Sequence, residues 1–276
     1  MRQEHLKLRR KTLGGPKSPI DLRPDFLLGY LIGLIIGDGW VHKTRFRNYV
    51  VALETTRKDY ATLFSRTFHT RFPSLTVFRY ERMKKRKFPN GQITNSRSYV
   101  TWVNCKQLYL VLRPCKMSDY HWTIPELVLK SKEAQRGFLR GIFDAEGSVD
   151  VLSRHIRLCS KHKANLRQVQ RLLRVFGVKS YVQGARSELR VVSRGNCILF
   201  RREVGFGYLP KRRKLARICK VKYGPKIVDH ARRLRLSGLT YSEIAKRLGV
   251  ASPVSVSEWL RGKKLPYSVR NRWAIE

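Results

Sequence analysis

Gly29-Tyr30-Leu31-Ile32-Gly33-Leu34-Ile35-Ile36-Gly37-Asp38-Gly39 and Gly137-Phe138-Leu139-Arg140-Gly141-Ile142-Phe143-Asp144-Ala145-Glu146-Gly147 are two copies of one pattern. Each spaces small residues four apart: Gly29, Gly33 and Gly37 in the first, Gly137, Gly141 and Ala145 in the second. Each ends in a carboxylate followed by glycine. Glu146 follows Asp38, and Gly141 follows Gly33, by the same 108 residues. The repeat predicts a pseudo-twofold protein with two equivalent acids near its axis.

Residues four apart share one face of a helix. Three small ones there leave a groove that another backbone can enter, and the two grooved faces are expected to pack together. Glycine inside a helix costs about 0.5–1 kcal/mol relative to alanine, so its repetition in both copies points to close approach as the purpose. Asp38 and Glu146 fall in the last turn, and Gly39 and Gly147 suit the left-handed residue that often ends a helix. A carboxylate there opposes the helix dipole, and two at one junction raise each other's pKa. A divalent cation between them relieves both conflicts, and oxygen ligands suit Mg²⁺. The apolar run 26–36 is too short for a membrane span of ~20 residues.

The segments LIGLIIGDG at 31–39 and LRGIFDAEG at 139–147 resemble the LAGLIDADG homing endonucleases, as do residues 157–166 and the helical run leading to Phe176-Gly177-Val178. The resemblance covers roughly residues 24–220. It implies an α+β fold, a pseudo-twofold pair of αββαββα units whose antiparallel sheets face DNA. It also implies a site-specific endonuclease that hydrolyses both strands of a long asymmetric target, with the cuts falling across the minor groove. Asp38 and Glu146, with Gly37 and Ala145 beside them, would form the site for Mg²⁺ (Mn²⁺ as substitute). Lys161, Lys116 and Lys211 are the basic residues expected to order water. Thr55-Thr56 departs from the family pattern, because lysine or glutamine is common there. The alternatives are an RNA maturase that assists intron splicing and a non-catalytic sequence-specific regulator.

The composition agrees with a nucleic-acid partner. Against 19 Asp+Glu stand 59 Lys+Arg, a net charge of +40 in 276 residues, which repels itself unless a polyanion is near. Hydrophobic content of 42% with 11% aromatics argues against disorder. The basic residues do not gather in one amphipathic helix, which argues against a membrane surface. Five cysteines without a CxxC pair, and no signal peptide, read as idle thiols in a reducing, intracellular protein, cytoplasmic or nucleoid-associated. The seven histidines have no zinc-like spacing with them.

Along the chain, residues 1–22 read as a basic tail, 23–120 as the first half, 121–223 as the second and 224–276 as an appended module. Strands are expected near 47–55, 75–81 and 99–103, then near 149–160, 179–184 and 188–193. Pro89-Asn90-Gly91 reads as a hairpin connection. The strands' polar face would meet the duplex. Arg45, Arg47, Arg57, Arg79, Arg82, Lys84 and Lys85 are the first-half contacts, and Arg154, Arg157, Lys179, Tyr181, Arg186 and Arg190 those of the second. If ~8 phosphates are neutralised, binding falls with salt at a log–log slope near −7. Because the halves differ, one chain acting as a monomer could recognise an asymmetric site.

In the appended module, Thr240 with Glu243 makes a capping box, Gly249 a turn, and Ser252-Pro253 the start of another helix. This resembles the helix-turn-helix domains of DNA-binding proteins, in a small all-α unit with Ser255, Ser257, Glu258 and Arg261 toward the groove. An intein is disfavoured by the absence of a nucleophilic first residue and of a His-Asn terminus, so a free-standing, intron-encoded protein is expected, with double-stranded DNA and intron RNA as candidate partners.

Overall fold

The computed structural model describes residues 19–87, 93–116, 121–184, 187–220, 223–224 and 226–270. Its first half runs α1 (Phe26–Asp38), β1 (Gly39–Lys43), β2 (Tyr49–Thr55), α2 (Lys58–Arg71), β3 (Val77–Lys87), β4 (Ile93–Asn104) and α3 (Lys106–Leu112). A short link, α4 (Glu126–Leu129), leads to the second half. That half repeats the order as α5 (Lys132–Glu146), β5 (Gly147–Asp150), β6 (His155–Cys159), α6 (Lys163–Val175), β7 (Tyr181–Gln183), β8 (Glu188–Val191) and α7 (Arg194–Glu203), followed by α8 (Leu209–Cys219). The result is the expected pair of αββαββα units. The sheets are antiparallel and alike in topology, β1-β2-β4-β3 and β5-β6-β8-β7.

The two motif helices, α1 and α5, join the halves. Asp25 caps α1 by accepting from the Leu28 amide at 2.8 Å, and Ser131 caps α5 in the same way through Ala134. Every residue from Leu28 to Ile36 is buried, so α1 is a core helix rather than an amphipathic one. A Cβ on Gly33 would run into the Phe138 carbonyl and lie 2.8 Å from the Ile142 nitrogen. A Cβ on Gly141 would meet the Tyr30 carbonyl and lie 2.8 Å from the Leu34 nitrogen. These reciprocal contacts are the pseudo-twofold axis, and one continuous apolar core spans both halves around it.

The left-handed glycines expected after each motif are not there. Gly39 (φ −92°) and Gly147 (φ −83°) are extended, and each helix passes straight into a strand. Glycine is needed for space instead: a Cβ on Gly39 would sit 2.6 Å from the Ala52 carbonyl, and one on Gly147 2.5 Å from the Phe143 carbonyl. Strands β1 and β5, which begin at these glycines, lie at least partly outside the expected strand ranges, and β3 and β4 run well past their apolar segments. The basic run in β3 remains a strand because it pairs residue by residue with β4, from Val77 opposite Val103 to Lys87 opposite Ile93. The expected Pro89-Asn90-Gly91 connection lies outside the described residues.

Helices α9 (Ile227–Leu236), α10 (Tyr241–Arg247), α11 (Pro253–Leu260) and α12 (Tyr267–Arg270) follow. They enclose a second, separate cluster that includes Val228, Ala231, Ile244, Val256 and Trp259. The capping box forms: the Glu243 amide donates to Thr240 Oγ1 at 3.3 Å and the Thr240 amide donates to Glu243 Oε2 at 2.7 Å. Gly249 turns the chain at φ +64°. Tyr267 touches the main core, with the Arg194 guanidinium over its ring at 5.4 Å. No helix among the described residues is long and apolar enough to cross a membrane.

Candidate active site and nucleic-acid interface

The parallel packing of α1 and α5 brings their C-terminal ends together. Gly37 and Ala145 touch there, since a Cβ on Gly37 would collide with that of Ala145. Asp38 and Glu146, the last residues of the two helices, both line one open cleft of about 770 Å³ between the sheets, with Thr55, Thr56, Ser160 and Lys161 on its sides. Both acids reach solvent in the cleft, yet protein surrounds each from most directions. Burial pushes the Asp38 carboxyl above its usual range, against the pull of Lys211, Tyr60 and Lys116. Burial does the same to Glu146, and the charge of Asp38 adds to it. The acids therefore sense each other, as the duplicated motif implies.

Lys116 and Lys211 occupy equivalent posts beneath them. The buried Lys116 Nζ donates to the Ile36 carbonyl at 2.7 Å, at the end of α1. Lys211 Nζ donates to the carbonyls of Phe143 and Ala145 at 3.2 Å each and to that of Asp144 between them, at the end of α5. Each lysine thus offsets the negative end of a helix dipole to which a carboxylate has been added. Burial lowers the Lys211 pKa.

These residues fit a hard divalent cation. The donors are two carboxylates, with the Gly37 and Ala145 backbone beside them, and Mg²⁺ commonly binds through one or two carboxylates plus waters and substrate phosphate. Both carboxyls stay raised by burial although Lys116 and Lys211 pull against it, and a bound cation would favour their ionised forms. Among the described residues no group of three or more His, Cys, Asp or Glu side chains could hold a metal ion, so the cation would rest on the two carboxylates and on ligands from outside the chain.

The LAGLIDADG-like domain model matches residues 133–205, the stretch that contains α5, the second sheet and α7. Over those residues the chain is similar to the LAGLIDADG-like domain. An uncharacterized protein of Methanocaldococcus jannaschii is 31% identical over 132 residues, 48% of this chain and 45% of that protein. The glutamine–fructose-6-phosphate aminotransferase (isomerizing) of the same organism is 28% identical over 217 residues, 74% of this chain and 18% of that protein. The chain thus spans less than half the length of these curated relatives. Among solved structures, the homing endonuclease I-WcaI bound to its DNA recognition sequence superposes with a TM-score of 0.54 at 17% identity, over 72% of this chain and 88% of that one. The mixed α+β architecture with two antiparallel sheets is the LAGLIDADG fold.

Strand register in the two LAGLIDADG halves decides which expected contacts share a surface. Gly39 opposes Leu53 and Gly147 opposes Leu158, so Thr56 and Lys161 follow their strands at equivalent places. Lys161 is exposed in the cleft. Arg157, Arg190 and Tyr181 stand in one row on the sheet face away from the helices. Arg82 and Lys84 lie on that face of the first sheet, where both pair with Glu54 at 2.8–2.9 Å. Burial alone would raise the Glu54 carboxyl; hydrogen bonds from Arg82, Lys84 and Ser98 reverse this and hold it at about 2. Arg79 is on the opposite face and donates to Thr62 Oγ1 of α2 at 3.1 Å, so strand alternation turns it from the others. Lys85 is exposed on β3, one residue out of step with Lys84, and Lys179 is exposed just before β7. Arg45 and Arg47 sit at the exposed β1–β2 turn and Arg154 at the matching β5–β6 turn, with Arg47 and Arg154 both at positive φ, 58° and 52°. Arg57 donates to the Tyr208 hydroxyl at 3.1 Å and faces the second half. Arg186 lies outside the described residues. In the C-terminal module Ser255, Ser257 and Glu258 are half-buried and Arg261 is exposed.

Asp144, inside the second motif, was not among the expected site residues. It is buried, and it accepts from Tyr30 Oη at 2.6 Å, the Gly207 amide at 2.8 Å and the Tyr208 amide at 3.1 Å. It ties the start of α8 to both motif helices and so places Lys211. The Tyr60 hydroxyl, with no other partner, faces Asp38. The visible signal for Asp144 was an acid where the first motif has Ile36.

Proposed function

We propose that the chain is a site-specific DNA endonuclease that makes a double-strand break by metal-dependent phosphodiester hydrolysis. One observation carries the reading: two carboxylates from the two motif copies line a single cleft between two four-stranded sheets that carry basic side chains. The net charge of +40 and the fold shared with I-WcaI, a homing endonuclease bound to its recognition sequence, support it. Asp38 and Glu146, with the Gly37 and Ala145 carbonyls near, would hold Mg²⁺ or Mn²⁺. Bound there, such a cation activates water and neutralises charge on the scissile phosphate. Lys161 and, across the axis, Thr56 would border the attacking water. Lys116 and Lys211 act as positioning residues, keeping the carboxylates at helix ends that would otherwise repel them.

The chain would work as a monomer on an asymmetric duplex and be intron-encoded. The helix-turn-helix-like module, α10 and α11, would add a second DNA contact through Ser255, Ser257, Glu258 and Arg261. Replacing Asp38 with Asn or Glu146 with Gln should abolish Mg²⁺-dependent cleavage while leaving specific duplex binding. Continued cutting by both variants would end the proposal. Removing residues 225–276, whose apolar cluster is separate, should shorten the footprint on DNA; an unchanged footprint and affinity would make the module a structural cap.

A further inference from the structure

The row Trp40, Ala52, Trp102, Phe78 crosses the first sheet, and the row Ser148, Arg157, Arg190, Tyr181 crosses the second at the equivalent height. Both rows lie on the face away from the helices, because the alternating residues Leu53, Val103, Leu158 and Leu189 belong to the core. The chemistry of the two rows is opposite. The first has no charged side chain. Phe78 and Trp102 stack on each other at 4.3 Å and 19°, and the buried Ala52 lies between Trp40 and Trp102 in the row. The second holds two arginines whose Nε groups are fixed by neighbours, Arg157 on Ser148 Oγ and Arg190 on Glu188 Oε1, both at 2.8 Å. Arg190 Nη2 bonds Glu188 as well, so Arg157 offers both terminal nitrogens to a base edge and Arg190 offers Nη1.

The major groove distinguishes these surfaces. An arginine fork matches guanine O6 and N7, whereas apolar side chains match the thymine methyl. We infer that the two sheets read half-sites of opposite composition: thymine methyls beneath the Trp40–Phe78 row, and guanines beneath Arg157 and Arg190. The inference rests on the endonuclease reading and deepens it. Basic side chains on the face of the apolar row, Arg82 and Lys84 on β3, suit a polyanion that carries those methyls between its phosphates. Unpaired RNA bases stacked on an aromatic sheet are the rival occupant. They are disfavoured because Phe78 and Trp102 already spend ring faces on each other.

The full chain in EDTA, so that cleavage does not remove ligands, is used to select sites from a randomised duplex pool. One half-site should return thymine at positions that change to guanine in the Ala52→Arg/Trp102→Arg variant. The other should return guanine and lose that preference in Arg157→Ala and Arg190→Ala. A second measurement needs no variant. Replacing thymine by deoxyuridine in the first half-site removes only methyl groups, and each contacted methyl lost should weaken wild-type binding about fourfold. A tightly bound selected site that is indifferent to deoxyuridine, or that has guanine under both sheets, overturns the inference and leaves the endonuclease reading standing. Failure to select any duplex overturns both. Single-stranded RNA bound more tightly than duplex, with the binding lost in Trp102→Ala, overturns it in favour of base stacking.

Discussion

Gly33→Ala tests whether helix contact, not helix propensity, governs the first motif. The added Cβ would overlap the Phe138 carbonyl and lie 2.8 Å from the Ile142 nitrogen and 3.0 Å from the Gly141 Cα. Carbon atoms in contact prefer roughly 3.5–4.0 Å, so α1 and α5 must part by about 1 Å. All three obstacles are backbone, which places the overpacking cost near the upper end of its usual range, about 3 kcal/mol. The gain in helix propensity returns about 0.5–1 kcal/mol. The net loss is about 2 kcal/mol, or roughly 4–8 °C in Tm for a domain of this size. Cleavage should suffer more than binding, because a ~1 Å displacement of one carboxylate from the other can cost ~100-fold in rate. Gly141→Ala should behave alike, since its Cβ would lie 2.9 Å from the Gly33 Cα. One separation of the helices accommodates both methyls, so the double variant should cost little more than either single one. Urea unfolding and single-turnover cleavage measure these quantities. A Gly33→Ala protein that melts at or above the wild-type temperature, or strictly additive losses in the double variant, would refute the reasoning.

Burial holds Asp38 and Glu146 above their usual carboxyl range, and the charge of Asp38 adds to it at Glu146. The folded state therefore favours their protonated forms and is penalised once they ionise. In EDTA at pH 7.5, Asp38→Asn and Glu146→Gln should each raise Tm. That gain should shrink as pH falls through the raised values and vanish below the ordinary value of about 4, which a pH series of thermal melts would detect. Lys211→Met strips the partner from three carbonyls at the end of α5 and should cost about 3 kcal/mol by urea unfolding. Lys116→Met removes the donor to the Ile36 carbonyl at the end of α1 and should cost about half as much. Asp144→Ala leaves the Tyr30 hydroxyl and the Gly207 and Tyr208 amides without their acceptor, and a loss of about 3–5 kcal/mol is expected in the same assay. Duplex affinity measured between 50 and 200 mM salt should fall with a log–log slope near −7 for ~8 phosphate contacts.

The helical pairing and the acids at its end were legible because small residues spaced by four state a helix face within a dozen positions. The same holds for the Thr240–Glu243 capping box, a contact between residues three apart. Strands β1 and β5 were harder to see. They are short and begin directly at Gly39 and Gly147, whose extended backbone no local pattern announced. Arg79 read like Arg82 in the chain, but pairing with β4 turns the two to opposite faces.

What the amino-acid order determined alone was the duplicated helix, the carboxylate that closes each copy, and a charge that demands a polyanion. These are properties of neighbouring residues or of the whole sum, and they need no contact map. Tertiary structure decided the rest: that Lys116 and Lys211 turn inward to helix-end carbonyls, that Asp144 ties α8 to the helix pair, and that an aromatic row in one sheet stands where arginines stand in the other. Those facts depend on strand register and on contacts between residues about 60 or more apart in the chain. A slip of one residue in a strand would send every side chain to the other face.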